Sequence, residues 1–327
     1  MDWGNIISQT LTQSIGILAI IYCLAAIGLN VHFGYTGLLN FGQAGFLAVA
    51  AYGLAVTVSY LGASLWLGVL VGILGTVVLA LLLGLPTLRL RADYLAIVTI
   101  AAAEIIRLLV RSVTFREIFG GSDGITRFAD EFYALNPFKT GIALGPITFS
   151  KNDSWVFVVG WSVVAFWLLV VWLLVRSPWG RVLKGIREDE DAVRSLGKNV
   201  YSYKVQALIL GGVIGAFGGF ISAVYTQAVQ PDTFSTDFTF FAYTILILGG
   251  AARVFGPVVG AIIFWALIIF VGEFLTEAVA NGVITFITST QVGQIRFMLV
   301  GLGLMLLMIY RPQGIFGDRK ELALDAR

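Results

Sequence analysis

Formal charge is scarce in this chain. Of its 327 residues only 12% are Asp, Glu, Lys or Arg while 58% are hydrophobic, and between Asp2 and Arg89 no formally charged residue occurs. The 21 Lys+Arg and 19 Asp+Glu balance to +2, which excludes the large basic surface that nucleic acid requires. There is a single cysteine, Cys23, and a single histidine, His32. One thiol excludes an internal disulfide and a Cys-rich metal centre, and one imidazole excludes a His cluster and supports no Ser/His/Asp set. A phosphate-cradling G-x-x-x-x-G-K-[ST] run is missing too, because Gly197-Lys198 is followed by Asn199. The expectation is a protein that is not an enzyme and binds no cofactor, metal or nucleic acid itself.

Apolar length is what the chain has in abundance. A bilayer core of roughly 30 Å takes about 20 helical residues at about 1.5 Å each, so the uncharged stretch alone suffices for about three crossings. The fold class expected is all-α, a polytopic transmembrane bundle of about nine spans (8–10) in one transmembrane domain over 1–327. The spans are placed near 12–32, 37–60, 64–85, 93–112, 154–175, 204–228, 237–252, 256–276 and 292–310. The start, "MDWGNIISQTLTQ", lacks the basic region and cleavage site of a secretory signal, so the first apolar segment is expected to be retained. In the second, "GYTGLLNFGQAGF" mixes four glycines with Asn40 and Gln43 and is expected to be partly unwound.

Basic residues concentrate in the 176–204 segment, at Arg89, Arg91 and Arg253, and in the C-terminal Arg311, Arg319, Lys320 and Arg327. The positive-inside rule then puts the N-terminus outside and the C-terminus in the cytoplasm. Trp155 and the pair Trp172 and Trp179 suit the two membrane interfaces. Two polar segments remain: an outer loop near 113–153 and a cytoplasmic loop near 176–203. In the outer loop "FGGSDGIT" sets Gly120, Gly121 and Gly124 around Asp123, residues that permit tight turns.

Within the spans, "LGGVIGAFGGF" lines up Gly211, Gly215 and Gly219 on one helix stripe, which in lipid allows close backbone packing. Glu104 and Arg107, three apart, can pair structurally, and Arg111 can snorkel. Glu104 is the only deep acid, which argues against a carrier that holds a coupling ion at mid-membrane. His32 is expected to be an interfacial polar group. Asn40 and Gln43, with Tyr243 and Thr244 before the "ILGG" turn, either line a path or pack helices together.

The dense charge lies in "RSPWGRVLKGIREDEDAVRSLGKNV". Pro178 can open a helix, and Arg181 and Lys184 form a basic strip suited to an anionic leaflet. Asp189 can cap a second, short helix with Glu190 and Asp191 in its first turn, and Gly197 can stop it. Ala192, Val193 and Leu196 are expected to form its apolar face. "DAVRSLG" resembles the E-A-A-x-x-x-G pattern of ABC importer coupling loops, with Val193 for the second alanine. With "GGVIGAFGG", "GYTGLLNFGQAGF", "FGGSDGIT" and "YRPQGIFG", almost the whole chain resembles the LivM-type permeases of branched-chain amino acid ABC importers, although Asp123 stands where many members carry Asn. The resemblance implies a plasma-membrane importer subunit. Its partners would be a LivH-like second permease, two cytoplasmic ATPase subunits that hold the ATP and Mg, and an extracytoplasmic solute-binding protein. It leaves urea, short amides or polar amino acids open as the solute. An ion-coupled secondary carrier or a channel is the more distant alternative.

Overall fold

The computed structural model describes residues 2–88, 92–145, 147–284, 288–311 and 313–317. Arg89, Arg91, Arg319, Lys320 and Arg327, used above for orientation, lie outside the described residues. In chain order the elements begin with α1 (Trp3–Ser14), α2 (Ile17–Leu29), which runs on as a π-helical turn (Asn30–Tyr35), α3 (Gln43–Ser59), α4 (Leu65–Thr87) and α5 (Ala92–Arg111). There follow the short α6 (Arg116–Phe119), β1 (Ile125–Thr126), α7 (Asp130–Ala134), β2 (Ala143–Leu144) and β3 (Ile147–Thr148). The chain continues with α8 (Lys151–Arg176), α9 (Pro178–Glu188), α10 (Glu190–Ser195), α11 (Val200–Thr226), β4 (Ala228–Val229), α12 (Thr236–Gly249), α13 (Gly256–Ala280) and α14 (Val292–Tyr310).

Among the described residues six helices are long and apolar enough to cross a membrane: the run Trp3–Tyr35, α4, α8, α11, α13 and α14. α3 and α12 are shorter apolar helices. α5 is two-faced, burying Leu95, Thr99, Ala103 and Val110 while exposing Tyr94, Ile97, Ile105 and Leu108. The first span starts earlier than the 12–32 window. Asp2 caps α1 by accepting from the Asn5 amide at 3.1 Å, so helix forms ahead of the apolar run. The chain breaks at Gly16, where the Trp161 indole donates to the freed Ile15 carbonyl at 3.0 Å. Residues 37–42 are not helical, as the glycine-rich "GYTGLLNFGQAGF" leads one to expect.

α11 sits at the centre of the bundle, packed on α2, α3 and α4. Its glycine stripe explains why. A Cβ on Gly211 would stand 2.5 Å from the Gly28 carbonyl oxygen of α2, and one on Gly219 would stand 2.3 Å from the Leu47 carbonyl oxygen of α3. Main chain thus packs on main chain, with the His32 ring also against Gly211, the close contact that replaces hydrophobic drive between helices in lipid. The neighbouring row reaches α4, with Phe220 against Gly72. We expect Gly219→Val to lower the unfolding temperature in detergent, for a cost of about 1–3 kcal/mol or more, because the blocking atom is backbone. Gly293→Ala, where nothing lies within 4 Å of an added Cβ, is expected to leave it unchanged.

Candidate functional site: a capped helix pair braced on a buried polar hub

Three sequence choices build the charged pair α9 and α10. Ser177 caps α9 and Pro178 occupies its first turn, where a missing amide hydrogen costs nothing. Gly180, Leu183 and Ile186 turn inward while Arg181 and Lys184 stay exposed. Asp189 then leaves the helical region (φ −155°) and caps α10, its Oδ1 accepting from the amides of Asp191 at 2.9 Å and Ala192 at 3.0 Å. At the far end Gly197 adopts φ +77°, the left-handed turn that ends a helix most readily with glycine. The amides of Gly197 and Lys198 donate back to the carbonyls of Arg194 and Val193, at 2.9 and 3.4 Å.

Charges lock this short helix to itself and to the bundle. Arg194 bridges Glu190 and Asp191, both at 2.7 Å, and Glu190 also pairs with Lys204 of α11. The expected apolar face of Ala192, Val193 and Leu196 does not form as one surface. Val193 turns in against Gly185 of α9 and is buried, whereas Ala192 is exposed and Leu196 is 79% exposed. Helical geometry is the reason: positions four apart share a face, and Val193 is rotated by about 100° from Ala192. What faces outward is the Ala192–Leu196 stripe with the acids of the first turn.

The pair is braced on the first span. Arg187 Nη1 donates to the Gly34 carbonyl at 2.7 Å, inside the π-helical turn. This turn carries His32, which is fully buried and not interfacial as its place near a span end led one to expect. Its Nε2 faces the Leu208 carbonyl of α11 at 3.0 Å. A carbonyl only accepts, so Nε2 carries the proton and Nδ1 accepts from Asn40 Nδ2 at 3.0 Å. The Gly42 amide donates to Asn40 Oδ1 at 2.9 Å, and Asn40 Nδ2 also donates to Gln43 Oε1 at 3.2 Å. Gln43 Nε2 donates to the carbonyls of Gly211, at 3.3 Å, and Ala25, at 3.4 Å. Every donor has an acceptor, and the arrangement requires a neutral imidazole.

The unwound segment before α3 is closed by the same logic. Tyr243 of α12 donates its hydroxyl to the Asn40 carbonyl at 3.0 Å and accepts from the Asn40 amide at 3.1 Å. Thr99 of α5 accepts from the Phe41 amide at 3.1 Å, and Thr239 of α12 accepts from the Ala44 amide at 3.0 Å. Helix-end amides that water would satisfy elsewhere here find partners on two other helices. Asn30, in the π-turn, exchanges hydrogen bonds with the Ala252 amide and the Arg253 carbonyl, both at 2.8 Å. The structure therefore gathers Asn40, Gln43 and Tyr243 into one hub and leaves Thr244 outside it, its hydroxyl on the Phe240 carbonyl at 2.9 Å. The participation of His32, Asn30, Thr99 and Thr239 was not read from the sequence. The available signal was the density of polar residues between Asn30 and Gln43 in a stretch without charge.

At the opposite end of the bundle, Gly120, Gly121 and Gly124 all take positive φ and Asp123 pairs with Arg116 at 2.8 Å. This turn lies on the chain after α11: β1 pairs antiparallel with β4, Ile125 opposite Val229. A Cβ on Gly124 would stand 2.2 Å from the Val229 carbonyl oxygen. Arg107 grips Glu104 through two hydrogen bonds, 2.6 and 3.0 Å, as their spacing predicts. It also reaches Asp232 at 2.7 Å, which Arg111 shares at 3.1 Å. Asp232, 125 residues away along the chain, had no local sequence signal.

A polytopic helical membrane protein with a braced, charged helix pair exposed at one end is the class that fold and site define. The chain belongs to the family described as branched-chain amino acid transport system / permease component, whose model matches residues 11–309. It is 32% identical over 324 residues to the high-affinity branched-chain amino acid transport system permease protein LivM of Escherichia coli (strain K12), covering 96% of this chain and 71% of that protein. A probable branched-chain amino acid transport permease protein LivM of Methanocaldococcus jannaschii is 26% identical, covering 91% of each. The nucleoside ABC transporter permease protein NupC of Lactococcus lactis subsp. cremoris is 27% identical over 202 residues, 59% of this chain and 60% of that protein.

The hub generates a prediction. Asn40→Leu strands His32 Nδ1, the Gly42 amide and Gln43 Oε1 without partners. A stability loss of about 1–3 kcal/mol for each buried group left unpaired is expected, read as a lower unfolding temperature of the purified protein. Thr244→Ala, outside the hub, is expected to change it little.

Proposed function

We propose that this chain is the membrane permease subunit of a binding-protein-dependent ABC importer for branched-chain amino acids, working by alternating access in the inner membrane. The observation that carries the coupling mechanism is the exposed stripe of α10, capped at both ends and joined rigidly to the first span. An ATPase subunit docks on Glu190, Asp191, Ala192 and Leu196, while Val193 and Gly197 hold the helix in shape. ATP and Mg belong to the two ATPase subunits. Their closure pushes α10 as a solid piece. The push passes from α9 through Arg187 to the π-turn and so to the hub that ties α2, α3, α11 and α12 together. A lever is needed because packed cores switch between discrete arrangements instead of deforming smoothly.

The membrane placement follows the charge bias. In this proposal α3, α5 and α12 also cross, which with the six longer spans among the described residues makes nine, an odd number that puts the termini on opposite sides. α9 and α10 then face the cytoplasm, and the turn around Asp123 with the Arg107–Asp232 cluster faces the solute-binding protein. A LivH-like permease completes the membrane part, with the translocation path between the two. The solute is set largely by the binding protein that delivers it; the likeness to a nucleoside permease makes a non-amino-acid solute the second reading.

Leu196→Arg and Ala192→Arg change exposed positions, so inserted, folded protein is expected from both, with loss of ATPase co-purification and of ATP-driven uptake. Normal ATPase recovery from both variants would remove the docking role. The chain alone in liposomes is expected to move no amino acid; robust uptake driven by a sodium or proton gradient would overturn the importer reading.

A further inference from the structure

The first turns of α11 are held from two sides by the charged helix pair. On one side the Trp179 indole of α9 donates to Gln206 Oε1 at 2.9 Å. On the other the Lys204 ammonium pairs with Glu190 Oε2 of α10. Lys204 and Gln206 are two residues apart, about 200° around a helix, so α9 and α10 straddle α11 instead of resting on one face of it. The ion pair is the more sheltered of the two contacts. The Lys204 side chain is 13% exposed and that of Glu190 37%, and salt screens such a pair less than one on open surface. Arg194 fixes Glu190 further, at 2.7 Å, so the carboxylate moves with α10.

Two braces thus leave the helix pair in different directions. Arg187 runs from α9 to the Gly34 carbonyl of the first span, and Glu190 runs from α10 to Lys204 of α11. Both border one cavity of about 200 Å³, which Thr87 of α4 and Leu95 of α5 also line. The buried apolar residue of α10, Val193, turns to Gly185 of α9. Apolar contact therefore joins α10 to α9, while the ion pair at the cavity ties α10 to α11. α11 is also the helix whose Gly211 and Gly219 lie against carbonyl oxygens of α2 and α3, so a shift of its first turns reaches both.

We infer that Lys204 is a positioning residue for coupling: its ion pair with Glu190 carries the displacement of α10 straight to α11, a second route beside the one through Arg187 and the π-turn. A charged pair suits this task because it holds two helices at a set separation while the space beside it leaves them free to move together. The close main-chain packing of α11 then converts the shift into a change of packing between α2, α3 and α11. The source of the push rests on the importer reading above, whereas the brace between α10 and α11 does not.

The test compares Lys204→Met with Lys204→Arg, which keeps the charge, in two assays. In the first, the complete importer is reconstituted in liposomes with its second permease, ATPases and solute-binding protein, and leucine uptake and ATP hydrolysis are measured together. Lys204→Met is expected to co-purify with the ATPase as wild type does and to hydrolyse ATP, but to move about tenfold less leucine per ATP, a usual size for coupling between sites. Lys204→Arg is expected to stay near wild type. In the second assay a nitroxide is placed on Leu196→Cys of the full chain in detergent, where the native Cys23 is fully buried. Its mobility is expected to rise in Lys204→Met and not in Lys204→Arg. If Lys204→Met does not fold, Lys204→Gln is held to the same two expectations. A lower unfolding temperature with leucine per ATP unchanged makes Lys204 merely structural and overturns the inference. So does loss of the ATPase from Lys204→Met, which assigns the pair to docking, or nitroxide mobility equal to wild type, which means the pair does not fix α10. Equal uncoupling in Lys204→Arg overturns it as well, because the charge is then not the agent. A wild-type complex that moves no leucine overturns the importer reading and this inference with it, whereas normal coupling in Lys204→Met overturns this inference alone.

Discussion

Inside an apolar bundle a broken helix is costly, because each freed amide or carbonyl has no water to turn to. The break between Tyr35 and Gln43 is where this chain meets that cost, and much of its internal order follows from how the cost is met. Asn40 supplies the pivot: its side chain serves His32, Gln43 and the Gly42 amide, and its main chain is clasped by Tyr243. The partners come from α2, α5, α11 and α12, so satisfying one irregular segment fixes the relative placement of several helices. A network of this kind is worth more complete than in parts, since each unpaired member would carry its own desolvation penalty.

Close packing does the complementary task. The stripe of Gly211, Gly215 and Gly219 brings α11 so near to α2 and α3 that carbonyl oxygens of those helices lie against Gly211 and Gly219 and the Gln43 side chain lies against Gly215. The hub could not exist at ordinary helix spacing, because Gln43 Nε2 must reach the Gly211 carbonyl and His32 the Leu208 carbonyl on the same helix. Small residues thus do more than pack: they open main-chain acceptors to polar groups on neighbouring helices. Through Arg187 and Gly34 this rigid centre extends to α9, and through Lys204 and Glu190 from α11 to α10.

Local signals were legible wherever the physics is local. The caps Asp189 and Gly197, the opening Pro178, the Glu104–Arg107 pair and the unwound stretch around "GYTGLLN" all follow from neighbouring residues. The apolar face of α10 was misjudged, because three apolar residues in five do not share a face in a helix this short and Val193 was claimed by Gly185. His32 was misjudged for a similar reason: nearness to a helix end was taken for nearness to water, while the π-turn and Asn40 kept it buried. Asp232 joins Arg107 and Arg111 from far along the chain, and no window on the sequence contains both sides of that contact.

By itself the sequence determined that this is a helical membrane protein, where its long apolar helices run, and the family to which it belongs. Those properties depend on composition, on runs of about 20 apolar residues and on short motifs, all of which are read one stretch at a time. Only the tertiary structure decided which polar residues meet, that the hub is closed and fully paired, and which side of α10 is free. The physical reason is that hydrogen bonds and ion pairs act over about 3–4 Å in space, and sequence separation says little about which groups come that close.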